Sequence, residues 1–193
     1  MNSSITIRRA TLLAIASVLT AVACTSGGGQ GAVGGPGPGT GFSLNFSPDQ
    51  PNPSTLTVST AEESSSNDLI TIRVDVTATN DVFAALFEVS HPSPQVEFVS
   101  WSAGSLLESG GQQVAYFVDE SQAGLVAVDI ARLGGNGVSV GSTPVPVIFL
   151  TYRVGQPGTY GLSFQNQQLL DDGPPQPQVI GGMNWFEGTI LAQ

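Results

Sequence analysis

One histidine, one cysteine and fifteen carboxylates are the main groups this 193-residue chain offers for chemistry. His91 precedes Pro92, which puts it in extended or turn backbone. A Ser-His-acid triad would have to use it, and Ser90 and Ser93 lie too near in sequence to aim a hydroxyl at its ring. A zinc site needs several His, Cys or carboxylate ligands, and the chain lacks them. Asp171-Asp172 is the most conspicuous carboxylate pair. Adjacent side chains on a turn point apart, however, and Gly173-Pro174-Pro175 is turn chemistry. The same oxygens are of the type calcium takes, without the ligand spacing of an EF-hand loop. Gly29-Gln30-Gly31-Ala32-Val33-Gly34 formally matches the dinucleotide fingerprint, but no strand precedes it and no helix follows. Trp101 and Trp185 remain as candidate sugar-stacking rings, against the commoner use of large aromatics in core or rim packing. None of these sets is complete, so no cofactor or metal is expected, and an enzyme is the least supported class.

Cys24 carries a different chemistry. Arg8 and Arg9 give a positive flank, and 10–23 is nearly all apolar, ending in Leu19-Thr20-Ala21-Val22-Ala23. That is a signal-peptide layout over 1–23, too short to span a bilayer comfortably. The stretch resembles the lipobox of bacterial lipoproteins, with Ala21 where Leu is usual. The resemblance implies cleavage before Cys24 and lipidation of its thiol, hence a bacterial cell-envelope protein anchored outside the cytoplasm by lipid alone. The plainer alternative is a signal peptide with an incidental cysteine. The lone cysteine makes no internal disulfide, so the domain must be held by its core.

There is no lysine, and beyond Cys24 the cations are Arg73, Arg132 and Arg153. Nucleic acid is excluded as a partner, because phosphate contacts need cations. Docking on anionic headgroups is disfavoured for the same reason. Residues 24–40, almost entirely Gly, Ser, Pro and Ala after the cysteine, read as a disordered tether. A Gly-rich tether of this length reaches roughly 20–24 Å.

From 41 to 193 short apolar-patterned runs alternate with turn residues. Ile70, Ile72, Val74, Val76 and Ala78 share one face of a period-2 strand, with Thr71, Arg73, Asp75 and Thr77 opposite. Comparable runs are 56–59, 82–90, 96–101, 113–119, 124–132, 147–154, 160–165 and 185–191. Nine strands in one domain predict an all-β, two-sheet sandwich with jelly-roll topology.

The order of these runs resembles the cohesin family. His91-Pro92-Ser93-Pro94-Gln95-Val96-Glu97-Phe98-Val99-Ser100 is similar to its Pro-containing turn and Val-x-Phe-Val re-entry, and Ala103-Gly104-Ser105-Leu106-Leu107 to the segment that follows. Further matches are Ala131-Arg132-Leu133-Gly134-Gly135-Asn136-Gly137-Val138, the strand at 147–154, Leu162-Ser163-Phe164 with Leu169-Leu170-Asp171-Asp172-Gly173, and Gly188-Thr189-Ile190. Cohesins are nine-stranded jelly rolls that bind calcium-loaded dockerins and gather polysaccharide-degrading enzymes. The resemblance implies a non-catalytic recruiting module whose partner is a dockerin-bearing protein such as a glycoside hydrolase. Several cellulose-binding modules share the fold, so direct binding of polysaccharide through Trp101 and Trp185 is the alternative.

Cellulosomal cohesins meet dockerin on a flat sheet face formed by their third, fifth and sixth strands. In the third strand here, Phe83, Ala85, Phe87 and Val89 are expected inward and Val82, Ala84, Leu86 and Glu88 outward. The Asn/Asp pair usual in cellulosomal cohesins is missing. Val114, Tyr116 and Val118, then Val126, Val128 and Ile130, are expected inward. That leaves Ala115, Phe117 and Asp119, with Leu125, Ala127, Asp129 and Ala131, as an apolar face with an acidic rim. Such a face marks a partner surface unless a loop or the segment 42–46 covers it.

Overall fold

The computed structural model describes residues 42–49 and 56–193; the expected signal segment 1–23, Cys24 and the expected tether to residue 40 lie outside the described residues. Period-2 patterning produces a two-layer β-sandwich with jelly-roll architecture. One sheet has six strands in the order β1 (Leu44–Pro48), β13 (Gly188–Ala192), β11 (Gly158–Leu170), β5 (Ala84–Ser90), β8 (Leu125–Arg132) and β7 (Val114–Gln122). The other has five: β12 (Asn184–Phe186), β2 (Thr57–Ser66), β3 (Leu69–Thr77), β10 (Val145–Val154) and β6 (Val96–Ala103). A small ladder joins β4 (Thr79–Val82) to β9 (Val138–Val140). Every pairing among the named strands is antiparallel except β12 with β2.

The alternating apolar residues meet between the sheets. Ile70, Ile72, Val74 and Val76 of β3, Val126, Val128 and Ile130 of β8, and Ile148, Leu150 and Tyr152 of β10 are all buried in one core. A short helix, α1 (Ser105–Glu108), adds Leu106 and Leu107 to it. Gly104 permits that entry. A Cβ there would lie against the backbone of Pro146 and Val147, while its own N–H donates to the Val147 carbonyl at 3.1 Å.

Nine expected runs become thirteen strands among the described residues. The run at 185–191 is divided, because the chain passes from the five-stranded to the six-stranded sheet at Glu187. That crossing is held by Thr60 Oγ1 donating to the Glu187 carbonyl at 2.9 Å and by Phe164 N–H donating to Glu187 Oε1 at 3.2 Å. β1, β4 and β9 have only three to five residues, too few to show an alternation.

Four facing expectations need correction. Val82 is buried in the core, not outward, and Phe83 is half-buried on the outer face. The cause is backbone: Ala78 (φ 54°) and Asp81 (φ 56°) adopt left-handed conformations around β4 and reset the alternation. Ala78 for that reason ends β3 instead of continuing it. Asp75 and Thr77, expected on the solvent face, are buried as well. The Arg73 guanidinium lies over Asp75, donating from Nε to Oδ2 at 2.8 Å. Burial pushes the Asp75 carboxyl up, with Arg73 opposing.

Candidate partner-binding face

The outer face of β5, β8 and β7 follows from strand register. Ala84, Ala131 and Ala115 lie side by side across the three strands, then Leu86, Asp129 and Phe117, then Glu88, Ala127 and Asp119, then Ser90, Leu125 and Gln122. Alternation along β7 and β8 matches the expected facing: Phe117 is 59% exposed, while Val126 and Val128 are fully buried. Ala84 belongs to the outer row yet is only 4% exposed, since large neighbours stand over it. The segment 42–46 does not cover this face. β1 pairs with β13 at the opposite edge of the sheet and sends Leu44 and Phe46 into the core.

Two shallow depressions adjoin there. One, of about 390 Å³, is lined by Phe83, Leu86, Phe117, Ala131, Leu170 and Pro177 among others. Its neighbour, about 230 Å³, is lined by Glu88, Ala127, Asp129, Asn166 and Gln168, and both share Leu86 and Asp129. Asn166 reaches the site through an irregularity in β11 between Gln165 and Gln168, where it takes φ 50°. Its amide donates from Nδ2 to Glu88 Oε2 at 2.7 Å. Phe83, Leu170, Pro177 and Asn166 escape sequence reasoning, because their place depends on backbone irregularities that no alternation announces.

The charge on this face is one-sided. Partial burial, then the nearby Glu88 carboxylate, raise the Asp129 carboxyl above its ordinary value. The three arginines among the described residues are committed elsewhere. Arg73 pairs with Glu63 at 3.3 Å and Asp75 at 2.8 Å, and Arg153 with Asp68 at 3.2 Å and Glu97 at 3.1 Å, both from the five-stranded sheet. Arg132 lies on β8 but is buried, donating from Nη2 to the Ser109 carbonyl at 3.2 Å. No lysine or arginine side chain among the described residues faces out beside Asp129.

No family model and no curated protein sequence matches this chain. Solved structures do. CaCohA2 from Clostridium acetobutylicum superposes with a TM-score of 0.56 at 11% identity, over 72% of this chain and 90% of that one. The seventh ScaB type I cohesin from Pseudobacteroides cellulosolvens gives 0.54 at 10% identity, over 70% and 90%. CaCohA2 in a CaDoc0917–CaCohA2 complex gives 0.54 at 12% identity, over 68% and 97%. The domain has the cohesin fold.

Within that cohesin fold the two tryptophans are far apart. Trp185, on β12, packs at 5.7 Å from Phe87 and 5.1 Å from Phe164, ring centroid to centroid, between the sheets. Trp101, on β6, is 38% exposed and stacks on Tyr116 at 5.2 Å. β12 and β6 are the two edges of one sheet, four strand spacings or roughly 19 Å apart. The structure does not bring the two rings onto one platform.

Nor do the other reactive groups converge. Asp171 Oδ1 accepts from the N–H of Gly173 at 3.0 Å and of Gln178 at 2.8 Å, which holds its carboxyl below the ordinary value. Asp172 Oδ2 accepts from the Gly137 N–H at 2.8 Å. Both carboxylates shape surface turns. His91 is buried, with Nδ1 2.9 Å from the Val96 carbonyl and Nε2 3.2 Å from Glu120 Oε1, not aligned as a hydrogen bond. Since a carbonyl only accepts, Nδ1 carries the proton in the neutral ring.

Burial lowers the His91 pKa from 6.5, outweighing the attraction of Glu120. A depressed histidine pKa means the native state resists protonation. Its stability contribution is complete above about pH 6.5 and is lost as pH falls through the lowered native value. Thermal melts of the native chain and the His91→Gln variant, compared between pH 7.5 and 5, should show the native chain losing its advantage on acidification. A difference independent of pH would contradict this reading.

Proposed function

We propose that the chain is a non-catalytic recruiting module that docks a dockerin-bearing protein on the outer face of β5, β8 and β7. One observation carries this: that face joins an exposed Phe117 and two adjoining depressions to carboxylates with no cation beside them among the described residues. CaCohA2, which has the same fold, is solved in complex with CaDoc0917. The docked protein would bear a polysaccharide-degrading enzyme such as a glycoside hydrolase, and the lipid on Cys24 would hold the assembly at the cell envelope. On this reading the site works by shape and charge rather than by making or breaking bonds.

Capture from the source's secreted proteins by the full chain, with and without a calcium chelator, tests the partner class. Recovery of a dockerin-containing protein only when calcium is present is the expected result; a folded bait that retains none would end this reading. For the anchor, mass spectrometry of detergent-extracted protein should find chains beginning at an acylated Cys24. Chains retaining the segment 1–23, with an unmodified thiol, would remove it.

A further inference from the structure

The paired depressions define the chemistry of their occupant. The larger recess is floored by the row of small residues Ala84, Ala131 and Ala115 and walled by Phe83, Leu86 and Phe117. Such a hollow suits one apolar side chain, which it would remove from water on several sides. The smaller recess presents the carboxylates of Glu88 and Asp129 beside the amides of Asn166 and Gln168. Glu88 Oε2 is taken by Asn166, whereas no hydrogen bond or ion pair to the Asp129 carboxylate is seen among the described residues. Two like charges in a partly desolvated recess raise each other's energy, and a cation between them relieves that.

We propose that this face receives an apolar side chain of Leu, Met or Phe size together with a Lys or Arg about 7 Å from it, the spacing of same-face positions two residues apart on a strand. Residues four apart on a helix, with Cβ atoms roughly 5–6 Å apart, come near that spacing, and long side chains such as Lys or Arg reach the rest. The inference rests on the recruiting-module reading only for the protein that supplies this pair. A second copy of this chain does not fit, because its same face brings like charge and the whole chain carries a formal charge of −10. Calcium fits less well: two carboxylates and two amides supply at most six oxygens, the minimum it takes, and Glu88 Oε2 already accepts from Asn166.

Three probes of one shape separate the terms: 4-phenylbutylammonium, 4-phenylbutanol and 4-phenylbutanoate, titrated into the isotope-labelled full chain and followed by amide NMR. The ammonium should shift Leu86, Ala127, Asp129 and Ala131 and bind about fivefold tighter than the alcohol, with the carboxylate weakest. Asp129→Asn, at an exposed position, should bring the ammonium down to the alcohol's affinity. Equal affinities for ammonium and alcohol, shifts centred elsewhere, or no shifts at all would overturn the proposal. If the probes behave as expected while no dockerin is captured, the recruiting role fails and the apolar–cation site stands. If a dockerin is captured while the probes are indifferent, the recruiting role stands and the apolar–cation site fails.

Discussion

Phe117→Ala is expected to weaken dockerin binding by the full chain about 30- to 1,000-fold, the cost of truncating a central aromatic anchor. Phe117 is 59% exposed on β7, across from Asp129, and forms one wall of the apolar recess. Because its ring already faces solvent, the free domain loses little when it is removed. The melting temperature should stay within about 2 °C of the native value, since surface substitutions usually change stability by less than about 0.5 kcal/mol. Calorimetric titration against a captured dockerin, paired with a thermal melt, separates the two effects. An unchanged affinity would place the partner elsewhere on the sandwich. A fall in affinity together with a large fall in melting temperature would make Phe117 a structural residue.

Tyr152 should show the reverse pattern. Its side chain is fully buried on β10, edge-on to His91 at 5.3 Å and to Phe98 at 5.9 Å between ring centroids. Tyr152→Ala is expected to cost about 3–5 kcal/mol, the combined loss of buried area and the cavity left behind. For a chain of this size that lowers the melting temperature by roughly 6–20 °C. The hydroxyl has no hydrogen-bond partner among the described residues, and burial beside Glu120 pushes its ionisation far up. Tyr152→Phe should then leave stability unchanged or raise it by about 1 kcal/mol. Denaturant melts of both variants decide the matter, and a Tyr152→Phe variant as unstable as Tyr152→Ala would contradict it.

Much of this architecture is legible in the sequence because half-buried strands carry their facing in plain alternation. Along β7 and β8, and along β3 as far as Val74, apolar side chains recur every second position, and the facing follows directly. Alternation fails where the backbone departs from extended geometry. The left-handed residues at Ala78, Asp81 and Asn166 exchange Val82 with Phe83 and bring Asn166 onto Glu88. No side-chain pattern encodes those turns, so the sequence yields the Phe117 and Asp129 side of the site but not its Phe83, Leu170 and Asn166 side. Trp185 shows a second limit. Its partners Phe87 and Phe164 lie on other strands, so only the packed sandwich distinguishes a core aromatic from a sugar platform. The proposed role of Cys24 rests on a third kind of signal, a targeting pattern that carries no fold information.

Hydrogen–deuterium exchange of the full chain, alone and saturated with a captured calcium-loaded dockerin, locates the docking face in one measurement. Slowed exchange concentrated in β5, β8 and β7, with β3, β10 and β6 unchanged, is the expected result. Protection confined to the five-stranded sheet, with β5, β8 and β7 exchanging as in the free chain, would contradict docking on this face.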